Sequence, residues 1–460
     1  MIKSNGGIIG PDNVTTGGSF GRASGVFKLG EVTDLIKQSK WPTAGPGGFQ
    51  VANSCRFNSA SSDALTKTLG SGGNRKTFTI SLWTKPSSIS QQQMFISADS
   101  NQFGFDNTGV IFFYENNGGT EKPYVRWSPQ YRDTGAWYHV CLAIDTTQGT
   151  ASNRMKLYVN GSQVTDTISA TYPDQNQDLT WNTNVAHAIG RYSGSGGHYD
   201  GYMSEIMLIN GSALAPTSFG EFNSQTGIWI PKDVSGLTPG TNGFYLDFKD
   251  SANLGNDAFG GTDWAEVNLT SLDQSTDTCT TNFATLNPND VLRTSDGVLV
   301  PTFSDGNTTM ASSSNNSRQT FGTIGVETGK FYWETKLTVA NSTGHRVGVF
   351  FGNNKYDGSN PYYYGANAFY IHQNGQIYYN GSSTTYMASY GINDIITIAL
   401  DRTNGQIYLS KNGGASDSTW ANGSGANNST FANAVSISTK LGVTMPSNTT
   451  QPFFDIYGTG

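Results

Sequence analysis

Two carboxylates held about 5–5.5 Å apart can cleave a glycosidic bond. Along one strand, residues two apart share a face at roughly 6.5–7 Å, so Glu-x-Asp is the pattern that would supply the pair. The chain lacks it: Glu205 in MSEIML and Glu334 in FYWET each have no carboxylate two positions away. The five histidines (His139, His187, His198, His345, His372) are scattered, and no His-x₃-His or Cys-x₂-Cys spacing suits zinc. His139 alternates with an apolar row and is expected to face solvent or a covering loop. There is no phosphate loop. Hydrolase chemistry is therefore not expected.

Oxygen donors and aromatic rings are the richer material. DFKDSANLGNDAFGGTD, Asp247 to Asp263, offers Asp247, Asp250, Asn253, Asn256, Asp257 and Asp263. Hard cations need several such oxygens converging from loops. The spacing is not that of an EF-hand, and Asp and Asn also populate turns by capping their own backbone. Asp247, Asp250 and Asp257 are the candidate calcium ligands, with Asp106 and Asn107 a lesser pair. Between Asn360 and Tyr386 lie Tyr362, Tyr363, Tyr364, Tyr370, Tyr378, Tyr379 and Tyr386. A tyrosine presents a flat apolar face and a hydroxyl, which suits sugar rings or protein hot spots. Three consecutive tyrosines cannot all point inward from a strand. Tyr362, Tyr363, Tyr364, Tyr379 and Tyr386 are the candidate ligand contacts; the alternative is that alternate members fill a core.

The elements that would position these residues are strands. In WYHVCLAID, Tyr138, Val140, Leu142 and Ile144 fall at every second position, and KLYVNGSQV carries Leu157 and Val159 up to Asn160-Gly161. Period-two alternation suits a half-buried strand, and Asn-Gly is a strong hairpin signal. The device returns near the end, where Ile396, Ile398 and Leu400 alternate and QIYLSKNGG turns at Asn412-Gly413.

Composition agrees. With 36% hydrophobic, 12% aromatic and 13% charged residues, the surface must be solvated by hydroxyls and amides, as in chains of many short strands joined by Gly-rich turns. The net charge of −7 and the absence of a basic stripe argue against nucleic acid. No apolar run approaches ~18 residues, so no membrane insertion is expected. MIKSNGGIIGPDN lacks the apolar core of a signal peptide. Cys55, Cys141 and Cys279 cannot all pair, and Cys141 reads as a small packed residue, so synthesis in a reducing cytosol is expected. Asn-x-Ser/Thr triplets such as those at Asn160 and Asn428 then read as chance.

In chain order, 1–48 is a Gly-rich segment with one short helix over Lys28–Lys40. Leu29, Val32, Leu35 and Ile36 share a face, and Trp41-Pro42 ends it. A lone helix cannot bury that face, so Leu29, Val32, Leu35, Ile36 and Trp41 are expected to dock on a domain or on another chain. Residues 49–270 read as a first all-β domain, the polar stretch 271–282 as a linker, and 283–460 as a second.

WYHVCLAID, KLYVNGSQV, IGRY and DGYMSEIMLINGSALAP resemble the laminin-G-like branch of the concanavalin-like lectin/glucanase superfamily. Residues 219–270 read as closing strands or a sheet extension outside that pattern. GKFYWE (329–334), HRVGVFFG (345–352), NDIITIALD (393–401) and GQIYLSKNGG (405–414) resemble a SPRY domain. The two resemblances imply an all-β chain of two concanavalin-like antiparallel β-sandwiches, or jelly rolls. They also imply protein or glycan binding through loops, and a calcium ion at a loop rim. Ile8-Ile9-Gly10-Pro11, Ser24-Gly25-Val26-Phe27 and Trp41-Pro42 resemble the N-termini of bacteriophage tail and virion structural proteins. FGE (219–221), the Gly-x-Trp-x-Pro-Lys run (227–232) and NGFYLDF (242–248) resemble laminin-G-like phage proteins. The function this implies is a non-enzymatic virion protein, a tail fibre or adhesin binding host surface glycan or protein and held to other virion proteins by 1–48, as a homo-oligomer. The alternatives are a capsid decoration protein or head fibre, and a glycan-cleaving enzyme on the same fold.

Overall fold

The computed structural model describes residues 49–459 except 118–119, 195, 224–225, 292, 295–296, 299, 340–343, 352–367, 380–381, 413–419, 422–426 and 429–448, together with 15–16 and 19–20. The chain is all-β. Two units can be separated: one holds Ala44–Phe283 with Ser304–Gly306, the other Ala284–Phe303 with Asn307–Gly460.

The first unit is a pair of eight-stranded antiparallel sheets. One runs in the order Ser162–Val164, Met155–Val159, Tyr138–Asp145, Thr77–Pro86, Gly201–Asn210, Ser54–Phe57, Gln274–Ser275, with Phe244–Leu246 also on Gly201–Asn210. The other runs Thr167–Thr171, Thr120–Gln130, Val110–Asn117, Asn101–Phe105, Gln93–Ala98, Ala186–Ile189, Ala64–Thr68, Ala265–Val267. The alternation read in the sequence sets the inner faces. Phe78, Ile80, Leu82, Val140, Leu142 and Ile144 from the first sheet meet Phe103, Phe105, Ile111, Phe113 and Val125 from the second in one core. The second unit has a seven-stranded sheet centred on Thr450–Thr459 and His345–Phe351. Opposite it lies a five-stranded sheet that begins at Lys330–Lys336 and Ile395–Asp401. Val347, Val349, Ile371, Ile398, Leu400 and Leu409 form the core between them.

The two Asn turns work alike. Asn160 and Asn412 both have positive φ, 48° and 58°, a conformation Asn tolerates better than most residues. Asn160 N–H donates to His139 O at 2.9 Å, and Asn160 Oδ1 accepts from His139 N–H at 2.8 Å. Asn412 makes the same pair of bonds with Ile395, both at 2.8 Å. In each case the side chain caps the end of the ladder with the preceding strand, Tyr138–Asp145 with Met155–Val159 and Ile395–Asp401 with Gln406–Lys411.

Residues 271–282, expected to be a linker, are instead bonded into the first unit. Gln274–Ser275 pairs with Ser54–Phe57. Arg56 contacts Asp273 at 2.9 Å, Ser54 Oγ donates to Asp277 O at 2.6 Å, and Thr270 with Asp273 forms a capping box. Polar side chains without periodicity hid this attachment, because it is made by specific hydrogen bonds rather than by an apolar face.

Candidate functional site

The second sheet of the first unit has an outer face with a continuous row across its strands. Gln102 pairs with Tyr114, Tyr114 with Tyr124, and Tyr124 with Thr171. Along Thr120–Gln130, Val125 and Trp127 point into the core while Tyr124 and Arg126 are only half-buried. The Tyr114 and Tyr124 rings meet edge to face with centroids 5.7 Å apart, and Tyr114 Oη donates to Glu121 at 3.4 Å. Arg126 is anchored by Asp106, whose carboxylate also accepts from the Thr108 and Val110 amides. These bonds hold the Asp106 carboxyl below its ordinary range despite partial burial. Aromatic faces flanked by amide, hydroxyl and guanidinium groups can stack on a ring and hydrogen-bond its substituents. Sequence reasoning passed over this row. Its signal was the parity of FGFDNTGVIFFYE against YVRW, which puts Tyr114 and Tyr124 on the face opposite Phe113 and Val125.

The first sheet's outer face is sealed. A turn of 3₁₀ helix, Pro216–Ser218, and the hairpin Gly220–Phe222/Trp229–Pro231 form a third layer over it. Cys141, Met207, Ile209 and Tyr245 pack in one cluster with Phe219 and Val234, which flank that hairpin, and Trp83, Trp137, Tyr202 and Trp229 form a second cluster. Gly161 has φ +78°, and a Cβ there would sit 2.2 Å from Trp229 Cε3, so the hairpin turn needs glycine for packing as well as for conformation. His139 faces this covering layer: it stacks on Trp229 at 5.7 Å, lies 2.9 Å from Ser81 Oγ through Nε2, and is fully buried. Burial pulls its pKa down to about 3. A serine–histidine contact with no exposure and no partner on Nδ1 gives a substrate no approach.

Glu205 does gain a second carboxylate, which a search along its own strand could not find. The register of Gly201–Asn210 shifts between Ser204 and Met207, and Glu205 has φ +51°. With Ile206 opposite Leu246, the neighbouring strand brings Asp247 alongside. Tyr245 Oη donates to Glu205 Oε2 at 2.5 Å, and Lys249 pairs with Asp247 at 2.9 Å. Burial first, then the Asp247 charge, pushes the Glu205 carboxyl up to about 7. Glu334 is exposed and accepts from Tyr332.

Each of the expected calcium ligands caps a turn. Asp247 and Asp250 accept from the Lys249 and Ala252 amides at 3.2 and 2.9 Å. Asp257 Oδ1 accepts from Tyr245 and Phe259 amides at 3.0 and 3.1 Å. Among the described residues no three acidic, histidine or cysteine side chains converge on one point.

Residues 58–217 match the family model described as the concanavalin A-like lectin/glucanases superfamily (Laminin_G_3), and residues 330–448 match that of the SPRY domain. The chain carries a concanavalin A-like domain and a SPRY domain. No curated protein matches it. Among solved structures it is similar to the SPRY domain of human HERC1, at 17% identity over 38% of this chain and 91% of that one, with a TM-score of 0.28. It is also similar to the native heptameric SAP-like pentraxin from Limulus polyphemus, at 16% identity over 36% and 80%, with a TM-score of 0.28. The two domain types suggest a carbohydrate- or protein-binding role.

In the SPRY domain, the tyrosines expected to meet a ligand divide. Tyr362, Tyr363 and Tyr364 lie outside the described residues, as do the docking residues Leu29, Val32, Leu35, Ile36 and Trp41. Tyr379 and Tyr386 are core residues, 9% and 1% exposed, packed among Phe351, Ile377 and Leu409. The correction follows from strand parity: Tyr379 shares the inner face with Ile377, whereas Tyr378 turns outward and stacks on Tyr370 at 5.1 Å. Tyr386→Ala is accordingly expected to cost about 3–5 kcal/mol of stability, as for truncation of a large buried aromatic. Urea unfolding measures this; a loss below about 1 kcal/mol would return Tyr386 to the surface.

Proposed function

We propose that this chain is a non-enzymatic virion structural protein of a bacteriophage, a tail-fibre-type adhesin that binds host surface glycan or protein. The observation that carries the reading is the open row of Gln102, Tyr114, Tyr124 and Arg126 on one sheet, set against an opposite sheet face closed by a third layer. The paired carboxylates Glu205 and Asp247 lie 3% and 7% exposed, which supports binding without cleavage. The virion setting rests on the N-terminal resemblance given above, with residues 1–48 as the attachment to other virion proteins.

The test is a glycan array and a host-cell attachment assay with the intact protein and with the Tyr114→Ala/Tyr124→Ala double variant. Binding of a host sugar or cell, weakened about tenfold or more by the double variant, is expected, since aromatic side chains concentrate binding energy and the loss of about 1.4 kcal/mol is tenfold. Binding that the double variant leaves unchanged removes this face from the proposal. Release of reducing ends from host polysaccharide would restore the enzyme. Deleting residues 1–41 is expected to abolish incorporation into particles; particles that still contain the truncated protein would refute the docking role.

A further inference from the structure

The second sandwich is incompletely filled. Between its sheets lies a cavity of about 530 Å³, within the size range of small-molecule sites. Trp333 and Thr335 from Lys330–Lys336 line one wall, and His345 lines the other. Leu286, Ile396 and Phe454 give it an apolar floor. Four polar atoms on lining residues are buried without a hydrogen-bond partner: Thr285 Oγ1, Trp333 Nε1, Thr335 Oγ1 and His345 Nε2. Thr285 as a whole is only 7% exposed. An unmet buried donor or acceptor costs about 1–3 kcal/mol, and proteins rarely leave several around one void. Their grouping here is what a site awaiting a hydrogen-bonding ligand looks like.

The charges fix the class of ligand. Arg346, on the cavity wall, is neutralised by Asp455 at 2.6 Å, and Glu334 and Lys336 on the Trp333 strand are exposed and carry no net charge between them. Burial and the nearby cations lower the His345 pKa, which keeps the ring neutral. An indole N–H, two hydroxyls and a neutral imidazole beside an apolar floor complement a neutral molecule with several hydroxyls and one apolar face.

We propose that this inter-sheet cavity binds one neutral sugar residue, with Trp333 Nε1, Thr335 Oγ1 and His345 Nε2 as its hydrogen-bonding groups. The inference rests on the glycan-binding reading for its choice of sugar over other neutral polyols. It concerns a different unit from the Tyr114–Tyr124 face.

The experiment titrates the intact protein with the methyl glycosides of glucose, galactose, mannose and N-acetylglucosamine, followed by saturation-transfer NMR and calorimetry. Saturable binding of at least one is expected. Trp333→Phe keeps a ring and removes the N–H, and should weaken binding about tenfold. Thr335→Val should weaken it similarly while raising Tm, because it deletes an unmet hydroxyl; a merely structural threonine would not couple the two readouts. Absence of saturable binding in the wild type, or binding that neither variant alters, overturns the proposal. Host-cell attachment that fails while sugar binding persists would sink the adhesin reading and leave the cavity site standing. Attachment without sugar binding would do the reverse.

Discussion

Lys85→Met is expected to lower the stability of the concanavalin-type domain by about 3–5 kcal/mol, the usual consequence of removing one partner from a buried ion pair. The Lys85 side chain is 1% exposed and that of Asp277 6%, with Nζ and Oδ2 2.8 Å apart. Nζ also donates to Asn282 Oδ1 at 2.8 Å and to Phe283 O at 3.0 Å, so all three of its protons are used. The other Asp277 oxygen accepts from Trp137 Nε1 at 3.0 Å. Methionine fills the same volume but leaves a buried carboxylate uncompensated. Adding Asp277→Asn to the K85M variant removes that charge while keeping an oxygen for Trp137, and should recover much of the loss. Urea unfolding followed by tryptophan fluorescence reads both; a single variant within about 1 kcal/mol of wild type would show that the pair contributes nothing net.

The second large effect depends on pH. Glu205 has an ordinary carboxyl value of 4.5 and is held at about 7 in the fold. Because the folded value lies above the unfolded one, protonation favours the fold. Its contribution is full below about pH 4.5 and is lost as the pH rises through about 7. Glutamine keeps an oxygen for the Tyr245 hydroxyl and never ionises. E205Q should therefore exceed wild type by on the order of 3 kcal/mol at about pH 8.5, with the gap closing toward pH 4. The comparison must be between variants. His139 and His187 are held down at about 3 and about 4, so their stabilising effect is present above about 6.5 and lost as the pH falls below it. That opposes Glu205 and flattens the wild-type profile. A gap between E205Q and wild type that stays constant with pH would mean that Glu205 does not titrate as its burial requires.

The sequence was most legible where a single strand carries the signal. Val140, Leu142, Ile144, Ile396, Ile398 and Leu400 are core residues as their spacing implies, and Asn160-Gly161 turns a hairpin between Met155–Val159 and Ser162–Val164, while Gly413 of the second expected turn lies outside the described residues. What one strand cannot show is what its neighbour contributes. Glu205 looked solitary until Phe244–Leu246 paired beside it. Tyr379 and Tyr386 could not be told from surface tyrosines, since the same ring serves a core and a binding face. The third layer over the first sheet is made of short, irregular pieces around Phe219 and Trp229, with no period to read. Its presence explains why Gly201–Asn210 is buried at every position.

That third layer also bears on valency. A sandwich with two open sheets can meet partners from either side. With one sheet closed under Trp229 and Phe219, the domain has one sheet face left to offer. On the reading proposed above, copies held in register on a particle would all present it in one direction. Each contact could then be weak. Linked sites act at high effective concentration, and avidity can exceed a single affinity by about 10²–10⁴ when the geometry permits simultaneous engagement. Closing one face thus favours many shallow grips on a surface over one deep pocket.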